Sequence, residues 1–215
     1  MDKFTLIIGN KNYSSWSLRP WILMKQAKIP FEEILIPLFQ DAHKEKILKY
    51  SPAGKVPTLI HGKITVWESL AICEYLSDIF PEKNFWPKDK EKRAWARAIA
   101  NEMHAGFQAL RSNCPMDARA MGKKPKATPP DFFQNIERIK TIWEGCRRAH
   151  KKGGEFLFGN FTIADAMYAP IVFRFNSYGM ETSDEAKEYF ETMLHLPAMQ
   201  EWLDAGKKEP WTIDH

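Results

Sequence analysis

Cysteine is scarce in this chain, and its scarcity narrows the possible folds. Cys73, Cys114 and Cys146 are the only cysteines among 215 residues, with no CxxC pair and no spacing typical of metal ligands. This excludes a disulfide scaffold and a zinc-stabilised module, and it indicates a reducing compartment. We therefore expect no metal in the functional site.

Long apolar runs are absent as well. No window of about 18 apolar residues occurs. Met1 is followed by Asp2, Lys3 and a short strand-like run, whereas a secretory leader would have a basic segment and an apolar core. The sequence predicts a cytoplasmic protein that does not act at a membrane.

Charge of one sign is not in large excess either. The chain has 31 basic and 27 acidic residues, which gives a formal net charge of +4. Its basic clusters, at residues 123–126 and 147–152, flank helical patterns, where solvated helix ends are the ordinary explanation. Because no nucleic-acid-binding motif accompanies them, we do not expect a nucleic-acid partner.

The opening of the chain has the pattern of a strand, a helix and a second strand. Residues 4–8 form a β-rich apolar run. Apolar residues then recur at helical spacing from Ser17, and this pattern stops at residues 29–30. Residues 33–38 are predicted to form the next strand. A crossover of this kind predicts parallel pairing with a right-handed connection.

A hairpin and a further helix complete this unit. Residues 56–60 and 64–67 flank a short turn and predict an antiparallel pair. Pro57 lacks an N–H donor, so it must lie at an edge, a bulge or a special turn. From Ser69, apolar residues line one face of a helix that ends at Pro81.

Beyond a linker at residues 81–87, the apolar periodicity is helical. It predicts one helix at residues 95–110, another at 132–146, a third from near Thr162, and a further apolar set at 190–203. A helical bundle is therefore expected for the second part of the chain.

Ser14 and Ser15 lie between the first strand and the first helix. Backbone N–H groups and the positive end of the helix dipole favour an anion there, and a hydroxyl adds a further donor. For a thiolate, such donors lower the pKa of the thiol. The simpler explanation for a serine at this place is an ordinary helix cap, and we favour it for Ser17. Considered alone, Ser14 and Ser15 would also be interpreted as caps.

A second set of polar residues stands at the next junction of strand and helix. Ser69 can cap the helix and offer its hydroxyl and N–H to a carboxylate, while Glu68 can accept from an ammonium. Together they would hold the head of an α-amino acid. The extended backbone at Val56 and Pro57 could pair with a peptide. A capping serine beside a surface glutamate, and a plain edge strand, are the alternatives.

The sequence resembles the cytosolic glutathione S-transferases. The matching stretches lie at residues 13–21, 51–59, 67–72 and 158–165, in the family's order and covering nearly the whole chain. The resemblance implies an α/β thioredoxin-like N-terminal domain followed by an all-α helical-bundle domain. We place them at residues 1–82 and 88–215, with glutathione as co-substrate and no metal.

The resemblance also implies roles for individual residues. Ser14 matches the serine that hydrogen-bonds the glutathione sulfur, with Ser15 adjacent and equally open on sequence grounds. The remaining glutathione contacts would come from Lys55 to the glycine carboxylate, Val56 to the cysteinyl backbone beside a cis Pro57, and Glu68 with Ser69 to the γ-glutamyl group. Thr162 and Asp165 match a capping box, which serves folding.

The class within the family is suggested by the Ser-Ser-x-Ser-x-Arg pattern. It is similar to the zeta class, which includes maleylacetoacetate isomerase, but Trp16 stands where that class usually has cysteine. Disulfide exchange would need a cysteine in this loop. We therefore expect a transferase acting on a small electrophile, with glutathione-dependent cis-trans isomerisation as the alternative.

The site of the second substrate is harder to predict. Its candidates are Tyr13, His104, Phe107, Arg111 and Met116, although aromatic and methionine residues at helical spacing more often fill a core. Arg111 could hold a carboxylated substrate or form a surface ion pair. A non-catalytic binding or regulatory module is the hypothesis from another class. By resemblance we also expect a homodimer.

Overall fold

The computed structural model describes residues 3–213. Its strands are β1 (Phe4–Ile8), β2 (Phe31–Leu35), β3 (Thr58–His61) and β4 (Ile64–Trp67). Its α-helices are α1 (Ser15–Gln26), α2 (His43–Leu48), α3 (Ser69–Ile79), α4 (Lys90–Ala105), α5 (Gln108–Asn113), α6 (Pro130–His150), α7 (Ile163–Tyr178), α8 (Asp184–Leu194) and α9 (Pro197–Lys207). Short 3₁₀ turns follow α3 and α6, at Pro81–Lys83 and Lys151–Gly153.

The strands form one mixed sheet in the order β2-β1-β3-β4. β1 pairs with β2 in parallel and β3 pairs with β4 antiparallel, both as expected. β1 also pairs with β3 antiparallel. Alternate residues of β1 face opposite sides, because side chains alternate along a strand. Leu6 and Ile8 belong to the main core, together with residues of α1 and α3. On the opposite face of the sheet, Ile7 packs against Ile36, which follows β2, and against Ile47 of α2. The result is the predicted thioredoxin-like arrangement.

Helix α7 is the centre of the helical part. Nearly every one of its residues is buried, and α1 and α4 both pack against it. Its N-terminus is closed by the predicted capping box of Thr162 and Asp165. Because α1 touches both the sheet and α7, the loop before α1 lies where the two parts of the chain meet. The boundaries at residues 82 and 88 stay a prediction.

One helix prediction was wrong. The single helix expected at residues 95–110 is broken, because Gly106 is extended and Phe107 has a left-handed φ of 60°. A Cβ at Gly106 would lie 2.8 Å from the carbonyl oxygen of Glu102, so this break requires glycine. The apolar set at 190–203 belongs to two helices, since Pro197 starts a new one.

Smaller differences concern the ends of elements. Helix α1 begins at Ser15, not at Ser17, and β2 begins at Phe31. Among residues 3–213, no helix combines the length and the apolar character that crossing a membrane requires.

Candidate active site

Ser14 is the N-cap of α1. Its hydroxyl oxygen accepts from the backbone N–H of Ser17 at 3.4 Å, and its hydroxyl donates to Ser17 Oγ at 2.7 Å. Ser17 Oγ in turn accepts from the backbone N–H of Gly9 at 3.1 Å. Ser14 is thus a cap, and it also belongs to a short chain of hydroxyls at the positive end of a helix.

Ser15 faces a different neighbour. It is half-buried, and its hydroxyl oxygen lies 3.5 Å from Nη2 of Arg174 on α7. The side chain of Arg174 is anchored by its Nε, which donates to the carbonyl of Cys114 at 2.8 Å. The two serines therefore differ: Ser14 turns toward the sheet and Ser15 toward the helical part.

The predicted peptide-binding residues share one cavity. A cavity of 210 Å³ is lined by Trp16, Lys55, Val56, Pro57, Trp67 and Glu68. The Val56–Pro57 peptide bond is cis, as the resemblance implied. Lys55 and Glu68 are exposed at the rim and leave their charges in solvent. The structure thus brings a lysine and a glutamate to the same cleft, which suits a peptide carrying charges of both signs.

Glu68 and Ser69 lie at the start of α3. Glu68 has a left-handed φ of 68°, an uncommon backbone conformation for a residue other than glycine. Ser69 is fully buried, and its hydroxyl accepts from Nη1 of Arg19 at 3.4 Å. A charged donor therefore stands behind the serine that we expect to hold a carboxylate.

Arg19 is a site residue that the sequence analysis missed. It is 2% exposed, and its Nη2 donates to the carbonyl of Met103 at 3.5 Å. Its Nε is buried and finds no hydrogen-bond partner in the part of the chain that the structure describes. Burial, followed by the charges of Arg111 and Arg174, lowers the pKa of Arg19 to about 9. The group stays charged at neutral pH, so unpaired positive charge is held inside the protein.

Trp16 lies against two of these arginines. The guanidinium carbon of Arg19 is 4.2 Å from the centroid of its indole, and that of Arg111 is 4.3 Å away. Arg111 also donates to the carbonyls of His104 and Gly106 at 3.4 and 3.3 Å. Cation–π contacts on one ring fix the indole and keep both arginines at the cavity wall.

His104 completes this group from α4. Its ring meets the Trp16 indole edge-on at 5.4 Å, and its Nε2 lies 4.0 Å from a carboxylate oxygen of Glu68. The pKa of His104 is lowered chiefly by burial and then by Arg19, against an opposing effect of Glu68. The imidazole is therefore neutral at physiological pH.

No acidic side chain among residues 3–213 lies within ion-pair distance of Arg19, Arg111 or Arg174. Burial and the charge of Arg111 lower the pKa of Arg174 to about 10. Uncompensated buried charge is expensive. An arginine cluster of this kind, made by Arg19, Arg111 and Arg174, is suited to receive an anion.

The other predicted pocket residues lie elsewhere or deeper. Tyr13 is buried, and its hydroxyl accepts from Nη2 of Arg119 at 3.2 Å. Phe107 and Met116 are 7% and 2% exposed and belong to the main core. Of the candidates named for the second substrate, the structure brings His104 and Arg111 together at Trp16.

The cysteines and possible metal ligands add nothing to the site. Cys73, Cys114 and Cys146 are free and buried, and burial raises the pKa of each thiol, to about 12 for the last two. They are inert at neutral pH. Within the described part of the chain, His, Cys, Asp and Glu form no group that could hold a metal ion.

A larger groove of 610 Å³ lies at the other end of β1 and β2. Its floor includes Phe4, Phe31 and Phe80. None of the predicted site residues lines it. The smaller cavity is the better candidate, because it holds the polar groups that chemistry needs.

The N-terminal part matches a known family. A model of the glutathione S-transferase N-terminal domain matches residues 13–79. A probable maleylacetoacetate isomerase of Caenorhabditis elegans is 30% identical over 188 residues, which cover 86% of this chain and 85% of the relative. Glutathione S-transferase 1 of Dianthus caryophyllus is 29% identical over 188 residues, 85% of this chain and 82% of that protein.

Solved structures agree at the level of the fold. A glutathione transferase homologue from Burkholderia with bound glutathione has a TM-score of 0.70 and 22% identity, covering 97% of this chain and 100% of that one. Glutathione transferase F2 of Populus trichocarpa has a TM-score of 0.72 and 17% identity, covering 96% and 100%. The chain belongs to the glutathione S-transferase family.

Proposed function

We propose that this protein is a glutathione transferase that binds glutathione in the cavity beside Trp16 and presents its thiolate to a small electrophile bearing an anionic group. The observation that carries the proposal is the meeting of two kinds of group at the N-terminus of α1. Hydroxyls suited to a sulfur anion lie on one side, and an arginine cluster without acidic partners among the described residues lies on the other.

Glutathione would be held by its charges and its backbone. Glu68 at the rim accepts from the γ-glutamyl ammonium, and Ser69, backed by Arg19, donates to the adjacent carboxylate. The extended backbone at Val56 pairs with the cysteinyl unit, and Lys55 meets the glycine carboxylate. Lys55, Val56 and Glu68 line the 210 Å³ cavity, and Ser69 follows Glu68 in sequence.

The sulfur would lie at the N-terminus of α1, with Ser14 as its principal donor. The Ser14 hydroxyl donates to Ser17 Oγ in the structure. When the thiolate binds, the Ser14 hydroxyl rotates toward the sulfur, and Ser17 donates its own proton to the Ser14 oxygen in exchange. The helix dipole acts in the same direction, so the pKa of the bound thiol falls and the thiolate fraction rises.

The electrophile would bind on the helical side of the sulfur. Arg111 and Arg174 approach from α5 and α7, and Arg174 lies beside Ser15. A carboxylate between them would neutralise charge that is now uncompensated, and a planar guanidinium binds a carboxylate with two parallel hydrogen bonds. The rate gain comes from a higher thiolate fraction and from holding both reactants together.

Glutathione-dependent cis-trans isomerisation is the second candidate. The arginine cluster supports it, since it suits a carboxylated conjugated substrate, and so does the relative named as a probable maleylacetoacetate isomerase. In that reaction the thiolate adds to the conjugated bond, the adduct rotates, and elimination returns the thiolate. We further propose a cytoplasmic homodimer, as is common in the family.

The deciding experiment is titration calorimetry with glutathione, followed by turnover with chloronitrobenzoate and with its neutral methyl ester. The proposal expects binding below millimolar glutathione and a preference for the anionic acceptor. Release of unmodified glutathione after turnover of a conjugated cis-dicarboxylate would favour the isomerase. Absence of binding at millimolar glutathione would contradict both and leave the non-catalytic binding module.

A further inference from the structure

The loop that carries the serines is held by a segment near the end of the chain. Glu209 follows α9, and its carboxylate accepts from the backbone N–H of Lys11 at 2.6 Å and of Asn12 at 3.1 Å, one oxygen to each. Glu209 is 8% exposed. A buried carboxylate that receives two backbone donors is a strong, directional contact.

Other groups from the helical part hold the same loop. The side-chain amide of Asn12 donates to Asp117 Oδ1 at 2.8 Å, and its Oδ1 accepts from the N–H of Arg119 at 2.9 Å. The carbonyl of Asn12 accepts from the N–H of Ala118 at 3.0 Å, and that of Lys11 from the indole of Trp202 at 2.6 Å. Lys11 and Asn12 therefore bond to residues more than a hundred positions away in sequence.

Arg119 connects the two segments that hold the loop, the one at residues 117–119 and the one after α9. Its guanidinium donates to the carbonyls of Glu209 and Trp211 at 2.8 and 3.0 Å and to the hydroxyl of Tyr13 at 3.2 Å. The backbone of α9 is also close: a Cβ at Gly206 would lie 3.2 Å from the nitrogen of Asn12. The loop thus lies directly against the backbone of α9, with no room for a side chain between them.

We propose that Glu209 is a positioning residue, which holds the loop so that the hydroxyl of Ser14 meets the bound sulfur and that of Ser15 keeps its place beside Arg174. The inference rests on the proposed function for its chemical consequence, because Glu209 touches no reacting atom. Ser14 is two residues from Asn12, and its N–H bonds to the carbonyl of Asn10 at 2.7 Å within the same loop. Movement of Asn12 therefore moves the serine hydroxyls.

The test compares Glu209→Gln with Glu201→Gln. Glutamine keeps the shape of the side chain but offers an N–H group to one of two backbone donors, so one loop contact is lost. Glu201 lies on α9 and pairs with Lys25 of α1, at the surface and away from the loop, which makes it a matched control. Circular dichroism first establishes that both variants are folded. If Glu209→Gln is not, the second test variant is Glu209→Asp, which keeps the charge but shortens the side chain that reaches Lys11 and Asn12.

Two measurements separate this inference from the proposed function. Amide exchange should be about tenfold faster at Lys11 and Asn12 in Glu209→Gln and unchanged in Glu201→Gln. With glutathione bound, Glu209→Gln should titrate its thiol at higher pH than wild type and lose about tenfold in kcat, with little change in glutathione KM.

Each outcome has one meaning. Unchanged exchange in Glu209→Gln, or in Glu209→Asp if that variant replaces it, overturns the positioning role. Faster exchange with an unchanged thiol titration and kcat also overturns it, since the serines then keep their geometry without Glu209. If the wild type itself fails to bind glutathione, the proposed function falls, and amide exchange alone decides whether Glu209 holds the loop.

Discussion

The guanidinium of Arg19 donates to the hydroxyl of Ser69 across the interior of the protein, at 3.4 Å. Arg19 is on α1 and Ser69 begins α3, so this contact links the helix that carries the sulfur site to the helix that would receive the γ-glutamyl group. The Nε of Arg19 is buried and has no hydrogen-bond partner within residues 3–213. A carboxylate bound at Ser69 would be stabilised by the positive charge of Arg19, which contacts the serine hydroxyl from the protein interior.

Replacing Arg19 with lysine should therefore weaken glutathione binding. Lysine keeps the charge but loses the planar fork that reaches Ser69 and the Met103 carbonyl together. The loss of one hydrogen bond to a charged group costs about 1.5–3 kcal/mol, so we expect the dissociation constant to rise by about tenfold or more. Titration calorimetry measures it directly.

Arg138→Lys is the control for that experiment. Arg138 pairs with Glu102 at the surface and lies outside the cavity. It should leave the dissociation constant within about twofold, because exposed ion pairs contribute little. An unchanged affinity in Arg19→Lys would show that Ser69 binds its carboxylate without help.

The hydroxyl pair of Ser14 and Ser17 allows a graded test. Ser14→Ala should shift the titration of the bound thiol to higher pH and lower its thiolate fraction at neutral pH by about tenfold or more, since a donor to the charged sulfur is lost. Ser17 Oγ now accepts from the Ser14 hydroxyl, and in the proposed complex it would donate to the Ser14 oxygen instead. Ser17→Ala should therefore cause a smaller shift in the same direction, because Ser14 loses this hydroxyl partner. Ultraviolet absorbance of the thiolate against pH reports both.

Ser15→Ala distinguishes the two adjacent serines. Its hydroxyl faces Arg174, so we expect a smaller effect on the thiol than Ser14→Ala and a larger effect on an anionic electrophile. The opposite order, with the larger thiol shift in Ser15→Ala, would assign the sulfur to Ser15.

Loss of the Ser14 cap in Ser14→Ala should also cost about 1 kcal/mol of stability.

The sequence could predict the site where local structure decides it. Ser14, Glu68 and Ser69 stand at the ends of strands and helices, and a cap position depends on a few neighbouring residues. Arg19 and Arg174 could not be found in this way, because each lies inside a helix and acquires its role from residues distant in sequence. A charged residue within the largely apolar segment of α7 was the signal available for Arg174.

The broken helix has a similar explanation. The spacing of Met103, Phe107 and Leu110 continues a helical pattern across the break, so periodicity alone predicts one helix. What decides the break is backbone conformation: Gly106 is extended and Phe107 is left-handed. This turn exposes the carbonyls of His104 and Gly106 to Arg111. The same error therefore concealed what holds Arg111 in place.

Arg174→Met should change the choice of electrophile. The side chain lies beside Ser15 and carries charge without an acidic partner among the described residues. Its removal should lower kcat/KM for an anionic acceptor by about tenfold or more and alter a neutral acceptor of the same shape little. The comparison uses chloronitrobenzoate and its methyl ester.

A companion variant excludes a general loss of packing. Arg148 lies at the surface near the end of α6, where it pairs with Glu185. Arg148→Met should leave both rates unchanged, because exposed ion pairs contribute little. If Arg174→Met slowed both acceptors equally, the residue would serve the fold and not the recognition of charge. Binding of glutathione alone should be nearly the same in all three proteins.

Asp165 predicts a pH dependence of stability. Its carboxylate accepts from the N–H of Leu157 at 3.0 Å and of Thr162 at 2.7 Å, but burial outweighs these bonds and raises its pKa to about 6. The folded state therefore binds this proton more tightly than the unfolded state. Its contribution to stability is full below about pH 4 and is lost as pH rises through about 6.

Asp165→Asn should separate this effect from the other carboxyl groups. The asparagine oxygen can still accept from Thr162, but its amide faces the N–H of Leu157, so we expect a loss of about 1–3 kcal/mol at acidic pH. Because the variant lacks the titrating group, wild type should lose stability relative to it between pH 4 and about 6, by an amount on the order of 3 kcal/mol. Urea unfolding at several pH values measures the difference. A difference that stays constant with pH would mean that Asp165 keeps an ordinary carboxyl pKa despite its burial.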